Sequence, residues 1–224
     1  MPPGELPDWE RLLSAAARLQ HILPDAVLVG GTAAALHAGH RFSEDAVHIL
    51  SDLVSDFDKI LAELESVAGW KTARIRRPVL ILGSLDGIET GVRQLIRDAP
   101  LETTRIPIDG RELTVPTLAE ILRIKGVLIL KRNATRDYLD FVALADSMDD
   151  SAVLEALRRF DELYPQPGGQ SALQQLQIQL AKPLPYDLET LRLKEYKDLV
   201  AKWHDWSNVE TTSTRVADLL LDRL

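Results

Sequence analysis

The chain has 224 residues, 46% of them hydrophobic and 27% charged, with a formal net charge of −8. These proportions exclude global disorder and allow one or two domains with a sizeable core. The chain has no cysteine, which excludes a disulfide scaffold, a thiolate nucleophile, a cysteine-based zinc site and an iron–sulfur cluster, and suits a reducing compartment. The acidic start MPPGELPDWERLL has no basic secretory n-region, and no apolar run approaches the ~20 residues of a membrane span. A cytoplasmic protein without a membrane partner is the expectation.

The acidic balance argues against a constitutive nucleic-acid coat. The charge is nevertheless uneven. Residues 42–65 hold seven acids and one base, whereas 71–77 (KTARIRR) hold four bases and 121–136 hold five, both without an acid.

In chain order, Asp8 can cap a first helix carrying Trp9, Leu12, Leu13, Ala16, Leu19 and Ile22 at helical spacing. Ala26–Val29 is a short buried strand. Gly30-Gly31-Thr32 breaks it and opens an alanine-rich helical turn through His37, ended by Gly39. Ala46–Leu50 is a second strand. Leu53, Phe57, Ile60, Leu61, Leu64 and Val67 mark an amphipathic helix closed by Gly69. Strands at Lys71–Arg76 and Val79–Leu82 follow, and 87–96 fits either a strand or a helix. Glu102–Ile108 and Arg111–Val115 flank Asp109-Gly110, a two-residue hairpin signal. Helices are expected from Pro116-Thr117 through Lys125, over 135–147, 151–163, 171–180 and 188–203, and from there to Leu224. The fold class is α+β: a mixed β-sheet core with flanking helices over 1–150, and a helical C-terminal region over 151–224 packed on it.

Two constellations carry the chemistry. In GGTAAALHAGHRFSEDAVHIL (30–50), a strand running into Gly30-Gly31 leaves backbone N–H groups at a helix start, where phosphate oxygens bind. Ser43 and Asp45 follow at the mouth of the next strand, on one face. Ser43 can bond a phosphate while Asp45 holds Mg²⁺, which takes carboxylate and phosphate oxygens. A plain glycine turn and helix cap produce the same pattern. In EILRIKGVLILKRNATRDYLDFVAL (120–144), Lys125 lies on an apolar helix, and Asp137 and Asp140 share a face of the next. A lysine and an aspartate from two helices can neutralise a triphosphate and orient an attacking hydroxyl. A surface ion-pair cluster is the alternative.

Together these segments resemble the AbiEii-type nucleotidyltransferase toxins, including the mycobacterial MenT group. The resemblance rests on GGTA, LH, GHR, S-x-D, LRIK and TRDYLDFVAL in order over about residues 26–145, with PVLILGSLDGIETGVRQLIR between them. It implies a nucleotidyltransferase fold and transfer of a nucleoside monophosphate from an NTP with Mg²⁺. Gly30 and Gly31 match the phosphate-binding turn, Ser43 the phosphate contact and Asp45 the metal ligand. Lys125 matches the lysine that meets the NTP phosphates. The later aspartate falls in RDYLD, where Asp140 fits the spacing best and Asp137 stays open. The resemblance further implies an RNA acceptor, the tRNA 3′ end, and a cognate antitoxin.

One departure stands out. Many nucleotidyltransferases carry D-x-D where this chain has Asp45-Ala46-Val47, so Val47 replaces a possible second metal-binding carboxylate. Either one metal suffices, or another carboxylate such as Asp86 or Glu89 completes the site, or activity is weak or lost. Nucleotidylation of a protein and a non-catalytic binding protein are therefore the alternative readings. His37 and His40, three apart, fit helix-end or packing roles better than a metal pair. Lys71, Arg74, Arg76 and Arg77 suit RNA phosphates or a solvated strand face. Tyr196, Trp203 and Trp206 suit base stacking or core packing.

Overall fold

The computed structural model describes residues 8–108 and 110–221. The side chain of Asp8, Asp109 of the hairpin turn and the last residues of the expected C-terminal helix lie outside the described residues. The chain divides into two compact units. One comprises residues 1–33 and 43–117, the other 34–42 and 118–224. They are described in turn.

The first unit is built on a five-stranded mixed sheet. Helix α1 (Asp8–Ile22) leads into the two-residue strand β1 (Val27–Leu28), and β2 (Asp45–Leu50) follows after α2 (Gly30–Ala38). Helix α3 (Leu53–Glu65) precedes β3 (Trp70–Arg76), β4 (Leu80–Leu85) and β5 (Ile88–Gln94). The sheet order is β1-β2-β5-β4-β3, with β2 and β5 parallel and the other neighbours antiparallel. The segment 87–96, open between strand and helix in sequence, is the strand β5 at the sheet centre.

Strand β2 alternates: Ala46, His48 and Leu50 are buried, while Asp45, Val47 and Ile49 face outward. The buried side meets α1 and α3 through Leu19, Leu50, Leu53, Phe57, Leu64, Ile81 and Val92. Strand β3 is an edge, and after Trp70 all its residues are exposed. Its Lys71, Arg74 and Arg76 give that edge the charge that discourages strand addition. A separate hairpin, β6 (Thr103–Ile108) and β7 (Arg111–Pro116), pairs Ile108 with Arg111, and Gly110 sits at φ +76° as the turn demands.

The second unit is helical. It contains α4 (Leu118–Arg132), α5 (Thr135–Asp146), α6 (Asp150–Leu157), α7 (Phe160–Leu163), α8 (Ala172–Ala181) and α9 (Trp206–Leu221). Helices α4 and α5 pack together, and α8 and α9 pack against each other and against that pair. Gly126 makes the approach possible, because a Cβ there would come within 2.9 Å of Leu176 and 3.1 Å of Phe160.

Two helical expectations need correction. The segment 151–163 is broken into α6 and α7. The segment 188–203 is not an α-helix; it forms short 3₁₀ turns at Leu188–Thr190, Leu193–Glu195 and Ala201–His204. The cause is tertiary. Lys197 and Asp198 take left-handed backbone conformations (φ +48° and +51°), and between its short local turns the backbone also pairs with 40–42. Phe42 N–H donates to Lys197 O at 2.9 Å, and Val200 N–H donates to His40 O at 2.9 Å.

Candidate functional site

In the first unit, the β1–α2 turn starts from Gly30 at φ +78°, a conformation that strongly favours glycine. Beyond its immediate chain neighbours, nothing lies within 4 Å of where its Cβ would stand, so the side-chain side of Gly30 is open. Thr32 Oγ1 donates to the carbonyl of Asp45 at 2.5 Å and ties that turn to the first residue of β2. Ser43 is buried and its hydroxyl donates to Asp45 Oδ1 at 3.0 Å, while Asp45 itself is exposed. Ser43 and Asp45 therefore stand together, as their spacing predicts.

The register of β5 adds a residue. Glu89 is directly opposite Asp45 in the parallel β2–β5 pair, and both are exposed. Opposite positions on neighbouring strands share a face, with strands about 5 Å apart. Val47 lies opposite Gly91, on the same face. Asp86 is elsewhere: it sits in the β4–β5 turn, ion-paired with Arg18 of α1. Of the two carboxylates considered to offset Val47, only Glu89 comes beside Asp45. No group of three or more His, Cys, Asp or Glu side chains placed to hold a metal ion exists among the described residues. Two exposed carboxylates with a neighbouring hydroxyl still fit Mg²⁺, which commonly takes one or two protein carboxylates and completes its shell with water and substrate phosphates.

His48 points away from this face, wholly buried toward α1. Burial lowers its pKa to about 4. Backbone groups of Ala46, Gly91 and Ala16 offset part of that cost without a well-formed hydrogen bond to either ring nitrogen.

In the second unit, Lys125, Asp137 and Asp140 come together in the interior. Lys125 Nζ is 2.6 Å from Asp140 Oδ2 and 3.8 Å from Asp137 Oδ1. Asp140 is fully buried and also receives Arg41 Nε at 2.8 Å, Arg41 Nη2 at 3.0 Å and His40 Nε2 at 2.8 Å. Burial alone would raise the Asp140 pKa, but Lys125, Arg41 and the His40 hydrogen bond hold it well below the usual carboxylate range. Asp137 has a different partner: Arg132 clamps it through Nη2 at 2.7 Å and Nε at 3.0 Å. Both aspartates are thus paired with cations, and Asp140 is saturated with donors.

His40 and Arg41, part of the GHR motif, are functional candidates the residue-type reading passed over. Their signal was an arginine and a histidine directly before S-x-D. His37 ends α2 and does not join His40 as a metal pair. Trp203 is buried, and Trp206 packs edge-on against Tyr138 at 6.2 Å, so both serve the helical core. Tyr196 differs: it is half-buried, with the Arg41 guanidinium 5.8 Å from its ring centre. Arg77 leaves the basic β3 group to pair with Asp58 and cover Phe57.

A mixed sheet whose second strand presents Ser-x-Asp after a Gly-Gly turn is the architecture of a nucleotidyltransferase. The same fold is seen in a putative nucleotidyltransferase from H. pylori, 17% identical, with a TM-score of 0.57 over 97% of this chain and 95% of that one. It recurs in ANT(2″)-Ia, solved with adenylyl-2″-tobramycin, at 13% identity and a TM-score of 0.51 over 68% of this chain and 97% of that one.

The family model for the nucleotidyl transferase AbiEii toxin of type IV toxin–antitoxin systems matches residues 11–208, and the chain belongs to that family. It is also 30% identical over 223 residues to the heme uptake protein MmpL11 of Mycobacterium tuberculosis, covering 92% of this chain and 22% of that protein. A second relative is the mycolic acid-containing lipids exporter MmpL11 of Mycolicibacterium smegmatis, 35% identical over 129 residues, with 56% of this chain and 13% of that protein covered. The chain thus spans about a fifth or less of these curated relatives. No described helix is long and apolar enough to cross a membrane.

Proposed function

We propose that this protein transfers a nucleoside monophosphate from an NTP to the 3′ hydroxyl of an RNA, the tRNA acceptor end being the leading substrate, with release of pyrophosphate. The observation that carries the reading is the hydrogen-bonded pair of buried Ser43 and exposed Asp45 at the entry of β2, with Glu89 in register beside Asp45 and the Gly30-Gly31 turn ahead of it. Membership of the AbiEii family supports it. The transport names of the MmpL11 relatives describe proteins made mostly of other sequence, so they do not guide the reading.

In this reading the Gly30-Gly31 amides and the Ser43 hydroxyl bind NTP phosphates. Asp45 and Glu89 would hold Mg²⁺, which when bound neutralises charge on the transferring phosphate. The acceptor hydroxyl attacks the α-phosphorus, and the bond to the β-phosphate oxygen breaks. Lys125, the lysine that the resemblance gives to the NTP phosphates, is buried on Asp140 and belongs to the ion cluster of the second unit. Asp140, saturated by Lys125, Arg41 and His40, acts as their counter-ion and sets their positions. Asp137 does the same for Arg132. A cognate antitoxin is the protein partner that the family implies.

The test incubates purified protein with total tRNA, Mg²⁺ and each α-³²P NTP, beside Asp45→Ala. Label on RNA from one or two NTPs, lost in a folded Asp45→Ala variant, supports the reading. Label on protein instead supports the alternative acceptor. NTP binding without pyrophosphate release supports the non-catalytic reading, which Val47 favours.

A further inference from the structure

The chain has four phenylalanines, and three of them, Phe57, Phe141 and Phe160, are core residues no more than 4% exposed. Phe42 is 49% exposed. A lone exposed apolar side chain needs no explanation in itself, but this one is held unusually firmly. Its amide donates to Lys197 O at 2.9 Å, and its carbonyl accepts from Arg41 Nη1 at 2.8 Å. Lys197 and Asp198 are both in the left-handed region, where non-glycine residues are strained. Arg41 is itself locked by Asp140 and lies against the ring of Tyr196. Two aromatic residues are therefore mounted on one buried ion cluster. Lys197, half-buried, follows Tyr196 directly, and Arg136, exposed, stands one helical turn before Asp140 on α5.

Pre-ordered aromatic side chains beside exposed cations form the recognition chemistry of unpaired nucleic acid: bases stack on the rings, and phosphates meet the cations. Ordering them in advance removes part of the entropic cost of binding. We infer that Phe42, Tyr196, Arg136 and Lys197 form a docking platform for the unpaired end of an RNA acceptor. A paired duplex keeps its bases stacked internally and offers no free face to Phe42, so the platform selects single strands. Glu195 and Asp198 are exposed acids in the same segment. They add a repulsive limit on how far the phosphate track can extend toward 195–198. The acceptor class rests on the proposed RNA transfer; the platform itself rests on the residues above.

The experiment uses the full chain without NTP and two probes, a fluorescein-labelled eight-nucleotide unpaired RNA and a blunt RNA duplex, read by anisotropy across a salt series. The unpaired RNA is expected to bind more tightly than the duplex. Phe42→Ala, on an exposed side chain, should weaken unpaired-RNA binding about five- to 150-fold, the range for loss of one stacked base. Phe42→Trp should retain it. Arg136→Gln should reduce the salt slope by about 0.7, one single-strand phosphate contact. Equal binding of duplex and single strand, or wild-type binding by both Phe42→Ala and Tyr196→Leu, overturns the proposal.

Transfer of α-³²P label is measured separately on the same samples. Phe42-dependent RNA binding by a wild type that transfers no label keeps the platform and removes the transfer reading. Label transfer with an unchanged RNA KM in Phe42→Ala keeps the transfer reading and removes the platform.

Discussion

Asp45 and Asp140 are both aspartates in the family pattern, and their surroundings could hardly differ more. Asp45 stands exposed at the first position of β2 and receives a serine hydroxyl. Asp140 is wholly buried and receives N–H groups from His40, Arg41 and Lys125. An exposed carboxylate beside a second one can be shared with a metal and a phosphate at little structural cost. A buried, saturated carboxylate has no lone pair to spare, and its removal strands the cations around it. Asp45 thus stays available to a ligand, while the Asp140 cluster is spent on internal pairing.

The sharpest way to break this contrast is Asp45→Ala. Nucleotidyl transfer should fall by at least about 100-fold, while the melting temperature stays within experimental scatter. A folded variant with full activity would remove Asp45 from the site. Asp140→Ala should behave in the opposite manner, losing about 3–5 kcal/mol of stability in urea titration because Lys125 and Arg41 lose their buried counter-ion. A variant that unfolds at the wild-type urea concentration would show that the cluster is not structural.

Acid stability separates the buried groups further. The folded state holds His48 at about 4, below its ordinary 6.5, so the unfolded chain binds more protons between those values. Stability from this group is complete above pH 6.5 and declines as pH falls toward 4, by about 3 kcal/mol in all. Asp140, depressed well below its ordinary value, contributes a loss only at lower pH, as it becomes protonated. Denaturation at pH 7, 5.5 and 4.5 should show the first decline, and His48→Leu should flatten it.

Two smaller effects refine the exposed side. Glu89→Gln should raise the Mg²⁺ concentration for half-maximal transfer about tenfold if it shares the metal with Asp45; an unchanged titration would leave Asp45 as the sole protein carboxylate there. Arg105→Ala, which breaks the exposed 3.1 Å pair with Glu112, should change stability by less than about 1 kcal/mol. A larger loss would mean that the β6–β7 hairpin depends on that pair.

Local physics was legible where it governs alone. The Gly30-Gly31 turn, the alternation of Ala46, His48 and Leu50, the Asp109-Gly110 hairpin and the amphipathic α3 all follow from backbone freedom and side-chain period. The S-x-D spacing brings the Ser43 hydroxyl within hydrogen-bond reach of Asp45, although Ser43 precedes the strand and is buried. The segment 188–203 has apolar spacing of helical period, yet it closes only short 3₁₀ turns, because left-handed Lys197 and Asp198 interrupt it where it bonds to His40 and Phe42.

By itself, then, the sequence determined the alternation of elements, the Gly-Gly turn, the Ser-x-Asp pairing and the family pattern that joins them, since these depend on residue identity over a few neighbours. Only the tertiary structure decided that Glu89 rather than Asp86 stands beside Asp45, because strand register is a property of pairing between distant segments. Only it decided that Asp140 is a saturated counter-ion for Lys125, Arg41 and His40. That role depends on burial, and burial is set by every helix packed around the residue, not by the residue's own spelling.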